Sequence, residues 1–220
     1  WVNDLYEPLY NFWCELQHNG QELQDALLGI KSIYCNPDAA RCLFITSKEQ
    51  INDSDLSNFD RAVAFYIVNK CSFSGLTESS SFSAQASESN FSTNGIERLT
   101  EYSEIIERWK ITNLSYESML CDDKDTFIYL DPPYDIKDNL YGRKGEMHKR
   151  FDHDKFAHDC DQHTCPMLIS YNSDQIIRDR FYEWTVGEFA HTYTMRSVGC
   201  YNIDQATRKE LVLTNYEMRS

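Results

Sequence analysis

Two consecutive prolines follow an apolar run near the middle of the chain and limit what that run can become. Residues 126–130 read Thr-Phe-Ile-Tyr-Leu, and the next four residues are Asp131, Pro132, Pro133 and Tyr134. Proline cannot donate a backbone hydrogen bond, so a strand that fills 126–130 must end at this point. The stretch therefore predicts a short buried strand that ends in an acid, a rigid turn and an aromatic ring.

Segments with strand-like and helix-like patterns alternate around this turn. A second apolar run at 166–171 has the length of a buried strand, and helices are predicted near 153–163 and 174–183. Residues 189–201 and 209–217 are expected to form a closing antiparallel pair. The alternation predicts an α/β fold in which a mostly parallel sheet carries helices on both faces.

The first half of the chain is predicted to be mainly helical. Apolar side chains between Leu9 and Leu16 lie on one helical face, and Gly20 is expected to end that helix. Ser57 and Asp60 form a capping pair at the start of a later helix. Apolar periodicity places the further helices at 21–33, 57–71 and 96–109.

A serine-rich stretch separates two of these helices. Residues 72–93 contain nine serines and few aliphatic side chains, which predicts a long loop or hairpin outside the core. Phe73, Phe82 and Phe91 are isolated aromatic residues within it. Phe73 is expected to anchor the loop to the domain, whereas Phe82 is expected to be mobile and to face DNA.

The charge of the chain is strongly acidic. The formal net charge is −14 at pH 7, which taken alone argues against nucleic-acid binding, because phosphates require local positive charge. Residues 141–150 depart from this balance, with four Lys or Arg residues against one Glu. A basic loop at this position, directly after the proline turn, is expected to contact phosphates.

The cysteines and the hydropathy exclude several classes of protein. Eight cysteines are scattered along the chain without the dense spacing of a small secreted domain, so reduced thiols are expected. The run His158, Cys160, His163 and Cys165 lacks the usual Cys-x2-Cys spacing, and no metal is predicted. No apolar run approaches the ~20 residues that a membrane helix needs, which favours a soluble cytoplasmic protein.

The proline turn has a specific chemical interpretation. Ligands of open α/β sheets bind beyond the carboxyl ends of strands, where Asp131 is expected to lie. Asp131 and the carbonyl of Pro132 can accept the two N–H groups of an adenine amino group, which draws its nitrogen toward tetrahedral geometry. Tyr134 can stack on a base that has left the duplex. The same residues are also compatible with a tight turn in which the acid caps a helix and the tyrosine packs.

The order of six motifs resembles the Dam-like, D12 class of N6-adenine-specific DNA methyltransferases. The resemblance covers nearly the whole chain, and only the proline-turn motif is specific by itself. The motifs are VNDLYEPLYNFW (2–13), NKCSFSGL (69–76), ITNLSYESML (111–120), LDPPY (130–134), LISYNSD (168–174) and RKELVLTNY (208–216).

The resemblance implies a fold, a cofactor and a substrate. The fold would be a Rossmann-like methyltransferase sheet with a small, mainly helical insertion. S-adenosylmethionine would be the cofactor, with Asp4 on its ribose, Ser115 and Tyr116 near its adenine, and Asp131 also assigned to it. Double-stranded DNA, in a bacterial nucleoid or a phage genome, would be the substrate.

The resemblance also implies domains and residue roles. Residues 1–45 and 96–220 would form the catalytic domain, and residues 46–95 a target-recognition insertion. The catalytic residues would be Asp131, Pro132, Pro133 and Tyr134. The residues assigned to DNA are Tyr171, Phe73, Arg143, Lys144, Lys149 and Arg150.

Two departures from the family pattern affect these expectations. The family's lysine-bearing segment and Phe-x-Gly-x-Gly loop, with the first strand of the sheet, are absent from these 220 residues. We expect them in a longer gene product, and we expect the chain without them to bind the cofactor weakly and to be inactive. Glu78 stands in the segment where family members often carry arginine, so the DNA target sequence does not carry over.

Two alternative functions remain open from the sequence. The protein could be a cofactor-deficient relative that binds DNA without catalysis. It could also methylate RNA or a protein amide, although relatives that act on glutamine or on some RNA amines tend to have asparagine at the position of Asp131.

Overall fold

The chain forms two compact units. The computed structural model describes four stretches of the chain, namely residues 1–73, 77–134, 151–191 and 208–217. Contacts within them define an amino-terminal unit, Trp1–Ser118, and a carboxy-terminal unit, which comprises the described residues from Met119 onward. Residues 46–95 share a hydrophobic core with the first helix in the amino-terminal unit, and their assignment to target recognition stays a prediction.

The amino-terminal unit consists mainly of helices. Two short strands, β1 (Val2–Asn3) and β2 (Ile111–Thr112), pair in parallel within it. The helices are α1 (Glu7–His18), α2 (Gly20–Ile33), α3 (Pro37–Gln50), α4 (Asn58–Cys71), α5 (Ala84–Ser89), α6 (Thr93–Glu97) and α7 (Leu99–Ile106).

Helix α4 is the central element of this unit. The predicted cap is confirmed, because the Ser57 hydroxyl accepts the Asp60 N–H at 3.0 Å and donates to the Asp60 carboxylate at 2.7 Å. Buried side chains occur on several sides of α4, as expected of a helix surrounded by others. The Phe65 ring lies 5.4 Å from that of Phe12 on α1, and each such buried side chain contributes about 1.5–3 kcal/mol.

Two predictions about the boundaries of α1, α2 and α7 are corrected by the structure. Gly20 begins α2 rather than ending α1, and a Cβ on it would lie 2.5 Å from the Cβ of Ser103. Glycine is therefore required for the close approach of α2 to α7. The helix predicted over 96–109 is interrupted at Arg98 and ends at Ile106.

The serine-rich stretch is part of the core, contrary to prediction. Phe91 is completely buried, and the Phe82 ring packs 5.8 Å from the Phe44 ring. Phe73 is 54% exposed. The expected roles of Phe73 and Phe82 are thus reversed, because Phe82 packs against the core and Phe73 faces solvent. Phe91 is a second anchor of the segment. The segment folds because its serines cap helices, as Ser83 does for α5.

The carboxy-terminal unit contains a four-stranded sheet of mixed direction. Its strands, in the spatial order β3-β4-β6-β5, are β3 (Ile128–Leu130), β4 (Met167–Asn172), β6 (Arg208–Thr214) and β5 (Thr185–His191). Strands β3 and β4 are parallel, whereas β4 with β6 and β5 with β6 are antiparallel. Strands are present within the predicted runs 126–130 and 166–171, but β3 covers only Ile128–Leu130 and is not buried as predicted, since Tyr129 is 59% exposed. The closing antiparallel pair is present, with β5 overlapping the predicted stretch 189–201 only at 189–191, because residues 192–201 lie outside the described ones.

Helices α8 (His153–Asp161) and α9 (Gln175–Arg180) confirm the two helices predicted beside these strands. Phe156 and Phe181 place their rings 6.5 and 6.2 Å from the Tyr171 ring of β4. The described residues give a mixed α/β architecture that includes parallel strand pairs. The four-stranded sheet is not mostly parallel as predicted, because two of its three strand pairings are antiparallel. Within the four described stretches, every helix is too short or too polar to cross a bilayer.

The side chains of β4 alternate between two faces of the sheet. Met167, Ile169 and Tyr171 are fully buried, whereas the intervening residues, which include Ser170, are half-buried. This period of two is typical of a strand that packs helices against one face. The two faces therefore have different tasks, one for packing and one for polar contacts.

A cluster of charges at β5 and β6 gives a testable pH effect. The Glu188 carboxylate accepts hydrogen bonds from Ser173, Lys209 and Arg178, at 2.7, 2.9 and 2.9 Å. The Ser173 hydrogen bond is the largest cause, with Lys209 next, of the drop in the pKa of Glu188 from 4.5 to about 2. Because the folded pKa is lowered, Glu188 adds stability above pH 4.5, and this is lost as the pH falls toward 2.

We expect an NMR titration to find the Glu188 carboxylate still ionised at about pH 3.5. The variant Ser173→Ala is expected to raise its titration midpoint toward the ordinary value of glutamate. A midpoint near the ordinary value in the parent protein would contradict this interpretation.

Candidate active site

The predicted turn lies at the carboxyl end of β3, in the carboxy-terminal unit. Leu130 and Pro132 are buried, whereas the Asp131 between them is exposed. The strand ends here because neither proline can donate to a neighbouring strand. The rigid backbone thus holds a carboxylate in solvent beside a buried ring.

The Asp131 carboxylate is oriented by the neighbouring strand. The pairing of β3 with β4 sets Leu130 opposite Ile169, so the same register brings Asp131 beside Ser170. The Ser170 hydroxyl donates a hydrogen bond to Oδ1 of Asp131 at 2.7 Å. The second oxygen, Oδ2, has no hydrogen-bond partner among the described residues, which leaves it available as an acceptor.

Neighbouring side chains contact both the ring and the hydroxyl of Tyr134. Its ring stacks on that of Tyr171, with 6.5 Å between centroids and 29° between planes. Its hydroxyl donates to Oε1 of Glu210 at 3.2 Å. Tyr171 is completely buried, and its hydroxyl is hydrogen-bonded to Nδ1 of His153. The structure thus brings Tyr134 and Tyr171 together, with Tyr171 in the core behind Tyr134.

A second group of predicted residues lies in the amino-terminal unit, where β1 and β2 end. Asp4 is exposed directly after β1, and its Oδ1 accepts the backbone N–H of Tyr6 at 2.7 Å. Its carbonyl accepts a hydrogen bond from Nδ2 of Asn113 at 2.8 Å. The bonds from both sides fix the backbone of Asp4 at the end of its strand.

Asn3 ties the end of β1 to the residues after β2. Its amide nitrogen donates to the Leu114 carbonyl at 2.8 Å, and its amide oxygen accepts the Leu114 N–H at 2.9 Å. Ser115 follows at once, with its hydroxyl hydrogen-bonded to Glu117, and Tyr116 begins a short 3-10 turn. Asp4 and Ser115 therefore follow two paired strands at the same edge.

This edge has the chemistry that a nucleoside cofactor requires. A ribose diol presents two hydroxyl donors, and the exposed Asp4 carboxylate is an acceptor of hydrogen bonds. Ser115 and Tyr116 are partly or fully exposed at the neighbouring strand end, where they could contact a base. The residues present thus fit the nucleoside part of S-adenosylmethionine.

The residues assigned to DNA differ in what the structure describes. Phe73 exposes more than half of its surface, while its N–H donates to the Ser81 carbonyl at 2.9 Å. Its exposed ring is thus mounted on a fixed backbone. The four basic residues of the predicted loop lie outside the described residues, and these are Arg143, Lys144, Lys149 and Arg150.

Glu78 has an inward-facing role in the amino-terminal unit. Its carboxylate accepts hydrogen bonds from the Tyr6 hydroxyl and from Nδ2 of Asn52, both at 2.5 Å. Burial, reinforced by the Glu78 hydrogen bond, raises the pKa of Tyr6. The residue found where relatives often carry arginine is thus engaged with the protein itself.

The thiols near His158 do not form a metal centre or a reactive nucleophile in the described part of the chain. No group of three or more His, Cys, Asp or Glu side chains in those stretches is arranged to hold a metal ion. Burial raises the pKa of the Cys160 thiol to about 12, and burial also raises the pKa of Cys165. Thiols with raised pKa values are poor nucleophiles at neutral pH.

Three contributing residues escaped the sequence analysis, namely Asn3, Ser170 and Glu210. Each lies inside a quoted motif. Ser170 could have been singled out as the one serine within an apolar strand. The role of Glu210 could not, because its hydrogen bond with Tyr134 joins residues 76 positions apart and depends on the pairing of β6 with β4.

The comparisons with known proteins identify the class and then the family. A mixed α/β protein with an Asp-Pro-Pro-Tyr turn at a strand end belongs among candidate methyltransferases. The family model described as D12 class N6 adenine-specific DNA methyltransferase matches residues 1–196. The chain therefore belongs to this family of DNA adenine methyltransferases, which typically use S-adenosylmethionine. No curated protein matches the chain.

Proposed function

We propose that the protein methylates N6 of an adenine that has left a DNA duplex. The observation that carries the proposal is the exposed Asp131 carboxylate at the end of β3, held by Ser170 and followed by a buried proline and a supported Tyr134. In a chain of this family, that arrangement supports a catalytic turn rather than a turn that only joins two elements.

The proposed role of the turn is to make the adenine nitrogen nucleophilic. Oδ2 of Asp131 accepts one amino N–H, and the Pro132 carbonyl accepts the other. The lone pair of this nitrogen is otherwise delocalised into the base, and two fixed acceptors draw the nitrogen toward tetrahedral geometry. Holding the amine at a fixed angle also removes orientational freedom before reaction.

Tyr134 is proposed to hold the extruded base. Its ring is proposed to stack on adenine, and the packing of Tyr171 against Tyr134 supports the orientation of that ring. Stacking offsets part of the few kcal/mol that extrusion of a base costs. The buried Tyr171 acts in this proposal by supporting Tyr134 and not by touching the base.

The proposed cofactor site uses the edge formed by β1 and β2. Asp4 accepts hydrogen bonds from the ribose hydroxyls, and Ser115 and Tyr116 contact the adenine of the cofactor. When bound, S-adenosylmethionine supplies an electrophilic methyl group on its sulfonium sulfur. Asp131 is also proposed to contact S-adenosylmethionine, in addition to its role in the catalytic turn.

The finer fold and the DNA contacts belong to the same proposal. A parallel pair that continues into an antiparallel closing pair, in the order β3-β4-β6-β5, supports a Rossmann-like methyltransferase sheet. The exposed Phe73 ring supports a DNA contact from the proposed target-recognition region 46–95. The basic residues of 141–150 are proposed to contact phosphates.

The test is the identity of the methylated product. The methyltransferase that carries these 220 residues is incubated with S-adenosylmethionine bearing a labelled methyl group and with DNA of mixed sequence. Nucleoside analysis is expected to find the label in N6-methyladenine. Label in RNA or in a protein amide under matched conditions, with none in DNA, would contradict the proposal, and DNA binding without any transfer would favour the cofactor-deficient alternative.

A change at Asp4 is expected to affect cofactor binding more than the chemical step. Asp4→Ala removes a charged hydrogen-bond acceptor, and a hydrogen bond to a charged group contributes about 1.5–3 kcal/mol. We therefore expect KM for S-adenosylmethionine to rise about ten- to a hundredfold, whereas kcat should change by about threefold at most. Steady-state kinetics at varied cofactor concentration measures both.

The matched control for Asp4 is Asp38→Ala, which removes an exposed carboxylate from the first turn of α3. This control should leave both constants close to those of the parent enzyme. An Asp4 variant with unchanged KM for the cofactor would move the ribose contact to another residue.

A further inference from the structure

We propose that Ser170 and Tyr129 are positioning residues that aim the Asp131 carboxylate at the substrate amine. This inference deepens the proposed function and rests on it. It assigns a task to two residues that lie next to the catalytic turn without belonging to it. The structure supports it through strand register, a chain of hydrogen bonds and the exposure of both side chains.

The register of β3 and β4 brings the three side chains to one face of the sheet. Tyr129 on β3 and Asp131, which directly follows the strand, are two residues apart, so their side chains point the same way. Ser170 lies beside Asp131, because Leu130 pairs with Ile169. Oγ of Ser170 lies 2.7 Å from Oδ1 of Asp131 and 3.0 Å from the Tyr129 hydroxyl, which reaches it diagonally across the strands.

The chemistry of the three groups fixes the direction of the hydrogen bonds. An ionised carboxylate only accepts, so the Ser170 hydroxyl donates its one proton to Asp131. Ser170 can then only accept from Tyr129, whose hydroxyl donates. The result is a polarised chain that runs from Tyr129 through Ser170 to Asp131.

This chain determines what Asp131 offers to a substrate. The terminal torsion of an aspartate side chain is soft, so an unsupported carboxylate samples a broad range of orientations. The Ser170 hydrogen bond holds Oδ1, and Oδ2 keeps its lone pairs for the adenine amine. A carboxylate fixed in advance pays less ordering cost when the amine arrives.

The exposure of the two residues argues against a role in packing. Tyr129 is 59% exposed, and Ser170 is half-buried on the face opposite to the fully buried Ile169 and Tyr171. Removing either hydroxyl leaves no cavity in the core. Phe127, two residues before Tyr129 and therefore on the same face, is 56% exposed and offers a control that has no hydroxyl group.

The test compares Ser170→Ala, Ser170→Thr and Tyr129→Phe in the methyltransferase that carries this chain. Loss of a hydrogen bond to a charged group predicts that Ser170→Ala lowers kcat about ten- to a hundredfold, with KM for DNA and cofactor changed about twofold at most. Ser170→Thr keeps the hydroxyl and is expected to recover kcat to within about threefold of the parent. Tyr129→Phe acts one bond further away, and we expect a fall of about two- to fivefold.

Several readouts separate positioning from stability and from the catalytic assignment itself. Phe127→Leu should leave kcat and both KM values unchanged, and melting temperatures should agree across the set. Equal kcat values for Ser170→Ala and the parent, or equal losses in the alanine and threonine variants, would overturn the positioning role. Activity that survives in Asp131→Ala would instead overturn the proposed function. If Ser170→Ala has a lower melting temperature than the parent, the positioning role is tested by Tyr129→Phe instead. An unchanged kcat in Tyr129→Phe would then overturn the proposed chain of hydrogen bonds.

Discussion

Replacing Asp131 with alanine is expected to reduce methyl transfer on the order of a thousandfold while DNA affinity changes by no more than about twofold. The carboxylate is proposed to act on the adenine amine and not on phosphates, so its loss should affect kcat. Its exposed position, with one hydrogen bond to Ser170, means that the alanine variant loses little stability. Single-turnover transfer of labelled methyl groups, with DNA binding measured by fluorescence anisotropy, tests both halves of the prediction.

The matched control for this variant is Asp125→Ala. Asp125 is also an exposed acid beside β3, in the turn that precedes the strand. Asp125→Ala should retain the parent rate of methyl transfer. That result would show that the slow transfer in Asp131→Ala is not caused by the loss of one negative charge in this region. Methylation by Asp131→Ala within about tenfold of the parent rate would remove Asp131 from the catalytic role.

The proline turn could be predicted from the sequence because its causes are local. The apolar run, the acid and the two prolines dictate a strand and its end, whatever the rest of the chain does. The cap formed by Ser57 and Asp60 was predictable for the same reason, since it joins residues three positions apart. Features that depend on a few neighbouring residues are visible in a sequence.

Helix α3 shows where periodicity fails as a signal. Its fully buried residues are Ala40, Phe44 and Ser47, and Leu43 is partly buried against the core, so few large apolar side chains mark the buried face. The start was encoded, because Asn36 caps the Ala39 N–H and Pro37 occupies the first turn. A helix whose buried face has only two adjacent large apolar residues, Leu43 and Phe44, shows no helical periodicity in its sequence.

The supporting residues of the candidate site depend on long-range register. Ser170 reaches Asp131 only because β3 and β4 pair with Leu130 opposite Ile169. The sequence predicted both strands but not the offset between them, and a shift by one residue would turn Ser170 away. The roles of 141–150, the inactivity of the chain by itself and the absent first strand stay predictions.

The serine-rich stretch leads to the second large prediction, which concerns stability. Phe91 is completely buried, and its ring lies 6.4 Å from that of Tyr66 on α4, with the Lys31 ammonium 4.8 Å from its centre. Truncating such a side chain costs about 3–5 kcal/mol, through lost burial and the cavity that remains. We expect Phe91→Ala to lower the free energy of unfolding by this amount, measured by chemical denaturation of the full chain.

The matched variant is Phe73→Ala, which removes the same side chain from an exposed position of the same stretch. Its effect on stability should stay within about 0.5 kcal/mol. If Phe73 contacts DNA, this variant should instead lose affinity for DNA, so the pair separates a core residue from a surface residue within one motif. Equal stabilities of the two variants would contradict the burial of Phe91.

The same contacts change what a deletion of this stretch would do. Replacing residues 76–92 with a short Gly-Ser linker would remove Phe82 and Phe91 from the core along with helix α5. An isolated recognition loop could be lost with only a change in site selectivity, but a segment that fills the core cannot. We therefore expect the amides of α4 to lose their protection from hydrogen exchange in the linker variant. Retained protection of these amides would show instead that the stretch is a surface loop.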